Sequence, residues 1–266
     1  ELTAFNGTDG GIILPRGCSL ISLDLRKTII RPDFVPTPTI EQANGANRRA
    51  IFKVTGGCYM FGYTFMDKKG STTSHHLLDT HHFCSEAELD VFYSKIRSSF
   101  GPAAGVSDDY ATARSNEYVI VGPTPTIPTV ATDTVRSSSP YIYNMSIRST
   151  LGMSGIFADG AKTDGFKSIV VAQYTGVSLQ NDPDCWQKYE AGAWTSIGTI
   201  EELQDIKQDN SRINPQKRHY HIRAVNDAVI QEVSVFCIGQ AVHHSVESGA
   251  QLTVTNSNSN FGGCSS

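Results

Sequence analysis

The chain of 266 residues is 39% hydrophobic and 18% charged, enough apolar material for one large domain or two small ones, with fewer charges than the usual quarter. A formal net charge of −4 supplies no basic field, which removes nucleic acid as an expected partner. No apolar run reaches the ~18 residues of a membrane-spanning helix, so membrane insertion is not expected.

Taken in chain order, the opening ELTAFNGTDGG and the closing NFGGCSS carry neither a signal peptide nor a closing element. They read as the ends of a segment of a longer chain. Between them lie short apolar runs bounded by Gly, Asn, Asp and Pro. They are GIIL (11–14), CSLISL (18–23), KTIIR (27–31), AIFKV (50–54), CYMFGYTF (58–65), EYVIVG (117–122) and YIYNMSIRS (141–149), then GIFA (155–158), FKSIVVAQY (166–174), HYHIRAV (219–225), AVIQEVSVF (228–236), QAVHHSV (240–246) and QLTVTN (251–256). Their Val, Ile, Tyr, Phe and Thr content is that of strands. Few Asn-Gly or Asp-Gly turns close hairpins between them, and the gaps are too short for crossover helices. The expected fold class is therefore all-β: a right-handed parallel β-helix over residues 1–266, each turn stacked ~4.8 Å from the last and paired in parallel with it.

A repeat supports this. GCSLISLDL (17–25) and GCYMFGYTF (57–65) follow one pattern, with Cys18 and Cys58 separated by 40 residues. Stacked turns place like residues above one another, with Gly at the corner and the small Cys inside the bend. GGCS (262–265) is a weaker echo, and NSNSN (256–260) suits a ladder of asparagines.

Three excursions from the stack are expected, at 68–116, 123–140 and 199–218. The first contains SEAELDVFYSKIRSS (85–99). Ser85 and Glu88 have capping-box spacing there, and Leu89, Phe92, Tyr93 and Ile96 fall on one face of an amphipathic helix. The second is Pro/Thr-rich and extended. The third reads as a helical turn and a polar loop. Such loops are where partner contact concentrates. The six cysteines (Cys18, Cys58, Cys84, Cys185, Cys237, Cys264) are widely spaced without a C-x-x-C, so reduced thiols are expected.

Three constellations carry potential chemistry. SHHLLDTHHFC (74–84) gathers His75, His76, His81, His82 and Cys84, ligand types suited to zinc. Their spacing matches no metal motif, and the other reading is a polar loop whose histidines bond to backbone. Asp159, Asp182 and Asp184 are the best carboxylates for glycan cleavage, which needs two of them ~5–9.5 Å apart; the other reading is turn-forming aspartates. Trp186, Tyr189 and Trp194 flank QKYEAGA and offer rings for sugar stacking, or else cap an apolar edge. No nucleotide or other cofactor motif occurs, and no cofactor is expected.

GTDGGIILPRGCSLISLDLRKTIIRP (7–32) resembles the entry turns of pectin-lyase-like parallel β-helices. YIYNMSIRSTLGMSGIFADGAKTDGFKSIVVAQYTGVSLQNDPDCWQKY (141–189) and SGAQLTVTNSNSNFGG (248–263) resemble segments of large virion structural proteins from the tails and baseplates of marine cyanobacterial phages. The resemblance covers most of the chain, with Gly17-Cys18 and Gly57-Cys58 at its corner positions. It implies a rigid virion component, assembled in the host cytoplasm and partnered by other tail or baseplate proteins. A homotrimer and contact with a host surface glycan are further expectations. The family's enzymes carry Gly-His-Gly and Arg-Ile-Lys elements that are missing here. A polysaccharide hydrolase or lyase, or a non-catalytic glycan-binding module, is accordingly the alternative to a scaffold.

Overall fold

A computed structural model describes residues 12–14, 18–35, 49–83, 139–160, 168–209, 211–215 and 219–261. Strands are numbered in chain order. One six-stranded sheet runs, in spatial order, β1 (Ile12–Leu14), β4 (Arg49–Val54), β7 (His75–Phe83), β9 (Met153–Asp159), β14 (Tyr220–Val225) and β17 (Val242–Val246). The second runs β2 (Ser19–Ile21), β5 (Tyr59–Phe61), β8 (Tyr141–Ser149), β10 (Ser168–Ser178), β15 (Val229–Val233) and β18 (Gln251–Thr255). Four short strands extend it: β3 (Ile29–Ile30), β6 (Thr64–Met66), β16 (Phe236–Ile238) and β19 (Asn258–Asn260). Every pairing in both sheets is parallel. The protein is thus all-β in its main body. The chain visits one sheet, then the other, and each return adds a strand beside the previous one.

The repeat noticed in the sequence is a stacking register. Ser19 pairs with Tyr59, and the Tyr59 N–H donates to the Cys18 carbonyl (3.2 Å). Cys58 fills a buried position as expected, whereas Cys18 is exposed, because it leads into β2, the outermost strand of its sheet's order. The four described cysteines (Cys18, Cys58, Cys185 and Cys237) are thiols outside any disulfide.

A second regularity explains how one run of residues lines the interior of two strands. In β10, Ile169 and Val171 are buried, then Gln173 adopts a φ of 49°, then Tyr174, Gly176 and Ser178 are buried. The left-handed residue turns the chain and resets the two-residue period, so apolar positions on both sides of the corner face inward. The same step recurs at Gly62 (φ 89°), Asn144 (52°), Ser234 (55°) and Asn256 (50°). These positions are in register, for Tyr143 pairs with both Phe61 and Ala172, and Val233 pairs with Ala172 and Thr255. At Gly62 no side chain fits, since a Cβ would collide with the Ser22 carbonyl oxygen. Elsewhere Asn and Ser tolerate the left-handed region, and Asn256 Nδ2 donates to Ser234 Oγ (3.2 Å) across the corner.

Between the sheets lies one apolar core, including Phe52, Met60, Phe65, Ile142, Ile147, Ile156, Val171, Tyr174, Ile222 and Ile230. Two expected boundaries shift. Residues 75–83 form β7 inside the first sheet rather than part of an excursion, because Leu78 and Phe83 are needed in the core. The last excursion starts at Leu179, directly after β10, and is larger than a helical turn. It is a satellite of three antiparallel strands, β11 (Trp186–Glu190), β12 (Ala193–Ser196) and β13 (Ile213–Pro215), with helix α1 (Ile200–Ile206). The Thr199 hydroxyl accepts the Glu202 N–H (3.1 Å), and Glu202 in turn accepts the Gly198 N–H (2.8 Å), so the helix start is capped from both sides. The helix expected at 85–99, the run at 117–122 and the Pro/Thr segment up to residue 138 lie outside the described residues.

Candidate functional site

Asp182 and Asp184 do not face each other across a groove. Asp182 is buried; its Oδ2 accepts the Ser74 N–H (2.8 Å) and its Oδ1 the Asp184 N–H (3.0 Å). It is the N-cap of a single 3-10 turn, Pro183–Cys185, and pins that turn to the start of β7. Asp184 is exposed. Asp159 is buried too, and its Oδ1 accepts the Asn226 amide (2.8 Å). It sits at the far end of β9, whose other end, Met153, pairs with His75 beside Ser74. At ~3.3 Å per residue the two carboxylates are ~20 Å apart, well beyond the ~5–9.5 Å that glycoside hydrolysis uses. Asp182→Ala strips acceptors from a buried amide, so a stability loss of about 2 kcal/mol is expected. Asp184→Ala should change stability by less than about 0.5 kcal/mol. Thermal unfolding of the two variants checks this, and equal losses would refute the assignment.

The three aromatic residues divide. Trp186 is buried with Cys185, Ile197 and Leu203. Its Nε1 donates to the Gln180 carbonyl (2.9 Å), and the Lys207 ammonium lies 4.8 Å over its ring. Lys207 Nζ also donates to Gln180 O (2.9 Å), and burial lowers its pKa to about 8. These contacts lock the satellite to the end of β10. Tyr189 and Trp194 remain as an exposed cross-strand pair, 42% and 45% accessible, with ring centroids 5.3 Å apart and planes tilted by 57°. The expected three-ring platform is reduced to two rings that are not coplanar.

The histidine cluster is split by its own strand. On β7, His81 packs against Phe65 (5.1 Å) and Phe52 (6.4 Å) in the core, while His82 packs against Phe157 (5.0 Å) on the opposite face. His75 Nδ1 lies 3.4 Å from Asp67 Oδ1. Asp67 also accepts the Ser149 hydroxyl (2.6 Å) and the Thr150 N–H (2.8 Å). Burial pushes its carboxyl up, but the donors from His75, Ser149 and Thr150 outweigh that and hold it at about 2. Among the described residues no three ligand side chains converge. Cys84 lies outside them, as does the side chain of His76.

Sequence reading missed two features. The first is a polar array inside the core. His81 Nδ1 bonds to the Thr80 hydroxyl (2.8 Å), which donates to the Gly155 carbonyl (2.9 Å). Because Thr80 has one hydrogen and gives it to Gly155, the proton of the first bond belongs to Nδ1 of His81. Tyr174 then stacks on His221 (4.7 Å, 16°), whose Nδ1 lies 3.4 Å from the Gln240 amide. Nearer the last strands, His244 Nε2 contacts both Glu232 Oε2 (3.1 Å) and Cys237 Sγ (3.7 Å). A thiol relay needs base and orienting group on different ring nitrogens; here both sit on one. Burial pushes the Cys237 thiol up, so the group is inert at neutral pH. The second feature is an outward row, Tyr59, Phe61 and Tyr143, with rings 6.3 Å and 5.4 Å apart and nearly parallel. The triplets Tyr-Met-Phe and Tyr-Ile-Tyr are its sequence signal, since each places one inward residue between two outward rings.

Comparison of the chain with protein-family models, with curated proteins and with solved structures returned no match.

Proposed function

We propose that the two parallel sheets form a right-handed parallel β-helix and that the chain serves as a rigid structural component of a phage tail or baseplate. The observation that carries this reading is the unbroken strand order of the two sheets. Inner strands are hydrogen-bonded on both sides, so bending the stack breaks bonds in both sheets together. Such stiffness suits a part that holds satellites at fixed positions for neighbouring proteins. Asp182 and Asp159 are committed to backbone and amide donors and lie far apart, and Asp184 stands exposed without a facing carboxylate partner among the described aspartates considered, which favours a scaffold over a depolymerase. The phage setting, assembly in the host cytoplasm, neighbouring tail proteins as partners and a homotrimer rest on the sequence resemblance.

A second reading, a glycan-binding module without catalysis, is favoured by one observation. The Tyr189–Trp194 pair stands exposed on the β11–β12 hairpin. Both readings are tested on purified tails of marine cyanobacterial phages with gold-labelled antibody raised to this chain. Label on tail or baseplate supports the scaffold reading, and label confined to soluble host lysate overturns it. Release of sugar from host envelope polysaccharide by the pure chain would overturn both non-catalytic readings.

A further inference from the structure

Among the described residues, nothing covers the last strands of the stack. Leu252 and Val254 of β18 align with Ile230 and Glu232 of β15, both fully buried, so they occupy inward positions. Yet Val254 is 49% exposed and Leu252 is only half-buried. Val246 of β17 aligns with the buried Ala224 and is 44% exposed, and Phe261 is 89% exposed. Apolar interior positions thus stand open at this end. The edge that bounds them carries no charge from Ala250 to Phe261. Charged residues, proline and bulges are the devices that keep an edge strand from pairing, and none is present there among the described residues.

We propose that this end pairs with the same end of a second copy across a two-fold axis, β18 antiparallel to β18. The backbone register suits it. The Gln251 N–H donates to the Ala228 carbonyl, so alternation along a parallel ladder turns Thr253 toward β15 as well. Leu252 and Val254 therefore direct their N–H and C=O groups away from the sheet. A two-fold axis through Thr253 sets Leu252 of one copy opposite Val254 of the other, and every outward donor meets an outward acceptor. Their side chains meet on the inward side of one continuous sheet, apolar against apolar. The surface involved, from Val242 to Phe261, is about twenty residues, one side of a standard interface. Such an isologous contact closes at two copies. It is independent of the virion reading, which survives its failure.

The test uses the whole chain. Sedimentation equilibrium at ~100 µM is expected to give a dimer, in place of the homotrimer that the sequence resemblance implies; a monomer, a trimer or open-ended growth overturns the proposal. Val254→Lys adds charge to the contact at a position half-open in the monomer, and should weaken the dimer at least about 100-fold while circular dichroism is unchanged. Tyr141→Lys, on the side wall, should leave the dimer intact; loss of the dimer there but not with Val254→Lys overturns the proposal. Register is read separately, in a Cys18→Ser, Cys264→Ser background. Thr253 faces itself across the axis at a non-hydrogen-bonded pair, ~4.5 Å between Cα atoms, within disulfide range. Thr253→Cys should cross-link on oxidation and Gln251→Cys should not. The reverse pattern, or no cross-link from either, overturns it.

Discussion

Gly155→Ala is expected to destabilise the protein by about 3 kcal/mol or more, lowering its thermal midpoint by roughly 6–12 °C. Gly155 lies in β9 between β7 and β14. A Cβ there would run into the His221 carbonyl oxygen and come within 3.0 Å of the Tyr174 hydroxyl. Neither neighbour can move cheaply. The carbonyl belongs to the backbone of β14, which is paired with β9 on one side and β17 on the other. Tyr174 is fully buried, stacked on His221 and within 3.3 Å of the Thr80 hydroxyl. The Gly155 carbonyl itself accepts from Thr80, so pushing β9 aside also disturbs the His81–Thr80 link. Gly192→Ala is the control. It has open space around it and a φ of 84°, so it incurs backbone strain alone, about 1 kcal/mol. Urea unfolding of both variants separates the two costs. If Gly155→Ala unfolds within 1 kcal/mol of the parent, the close approach of β9 and β14 is wrong.

The parallel stacking was legible because it repeats side-chain types. Gly-Cys at 17–18 and 57–58 marks one register position twice, and short runs without hairpin signals exclude most antiparallel layouts. The corners were not legible as corners. CYMFGYTF and AVIQEVSVF read as single strands, yet each breaks at a left-handed residue, Gly62 and Ser234. The break is one residue long and leaves β-branched and aromatic composition unchanged, so composition cannot see it. What does record it is parity. Inward positions switch from even to odd at Met60, Tyr63 and Phe65, and again at Ile142, Met145 and Ile147. The candidate sites were less legible still. Asp182 and Trp186 are residue types that binding surfaces favour, but both are consumed by anchoring the satellite. Glu232 was invisible because it replaces the apolar type found at its register mates, Val171 and Ile142. Its reason lies in His244, across the interior on the other sheet.

The second large effect follows from that interior. Lowering the pH from 7.5 to 5 should remove about 4 kcal/mol of stability through His81 and His243 alone, with His221 adding in the same direction. Burial holds His81 down to about 3, and burial with the neighbouring His244 holds His243 at about 4. His221 is likewise held well below 6.5, by burial first and by His244 and His243 second. Among the described residues, the ring and hydrogen-bond contacts of these three histidines include no acid to stabilise a proton directly. His81 faces Phe52, Phe65, Tyr174 and Thr80, His221 faces Tyr174 and Gln240, and His243 bonds to Ser259. The unfolded chain takes up protons at about 6.5. Each folded-state value lies below that, so the stability is fully present above pH 6.5 and is lost as the pH falls toward the folded values. At pH 5, ~1.5 pH units below the unfolded value, each histidine is almost fully protonated in the unfolded chain and neutral in the folded one, which costs about 2 kcal/mol each. That is a large share of the ~5–15 kcal/mol that holds a domain together. Asp67, held at about 2, adds its own loss only below about pH 4, so the two contributions separate along the pH axis. Urea midpoints at pH 7.5, 6 and 5 are the measurement, with His81→Leu as the companion variant. The parent should fall steeply between pH 6.5 and 5, and the variant should fall by about 2 kcal/mol less. A parent midpoint that stays level over that window would mean these rings are hydrated, and the closed polar array between the two sheets would have to be abandoned.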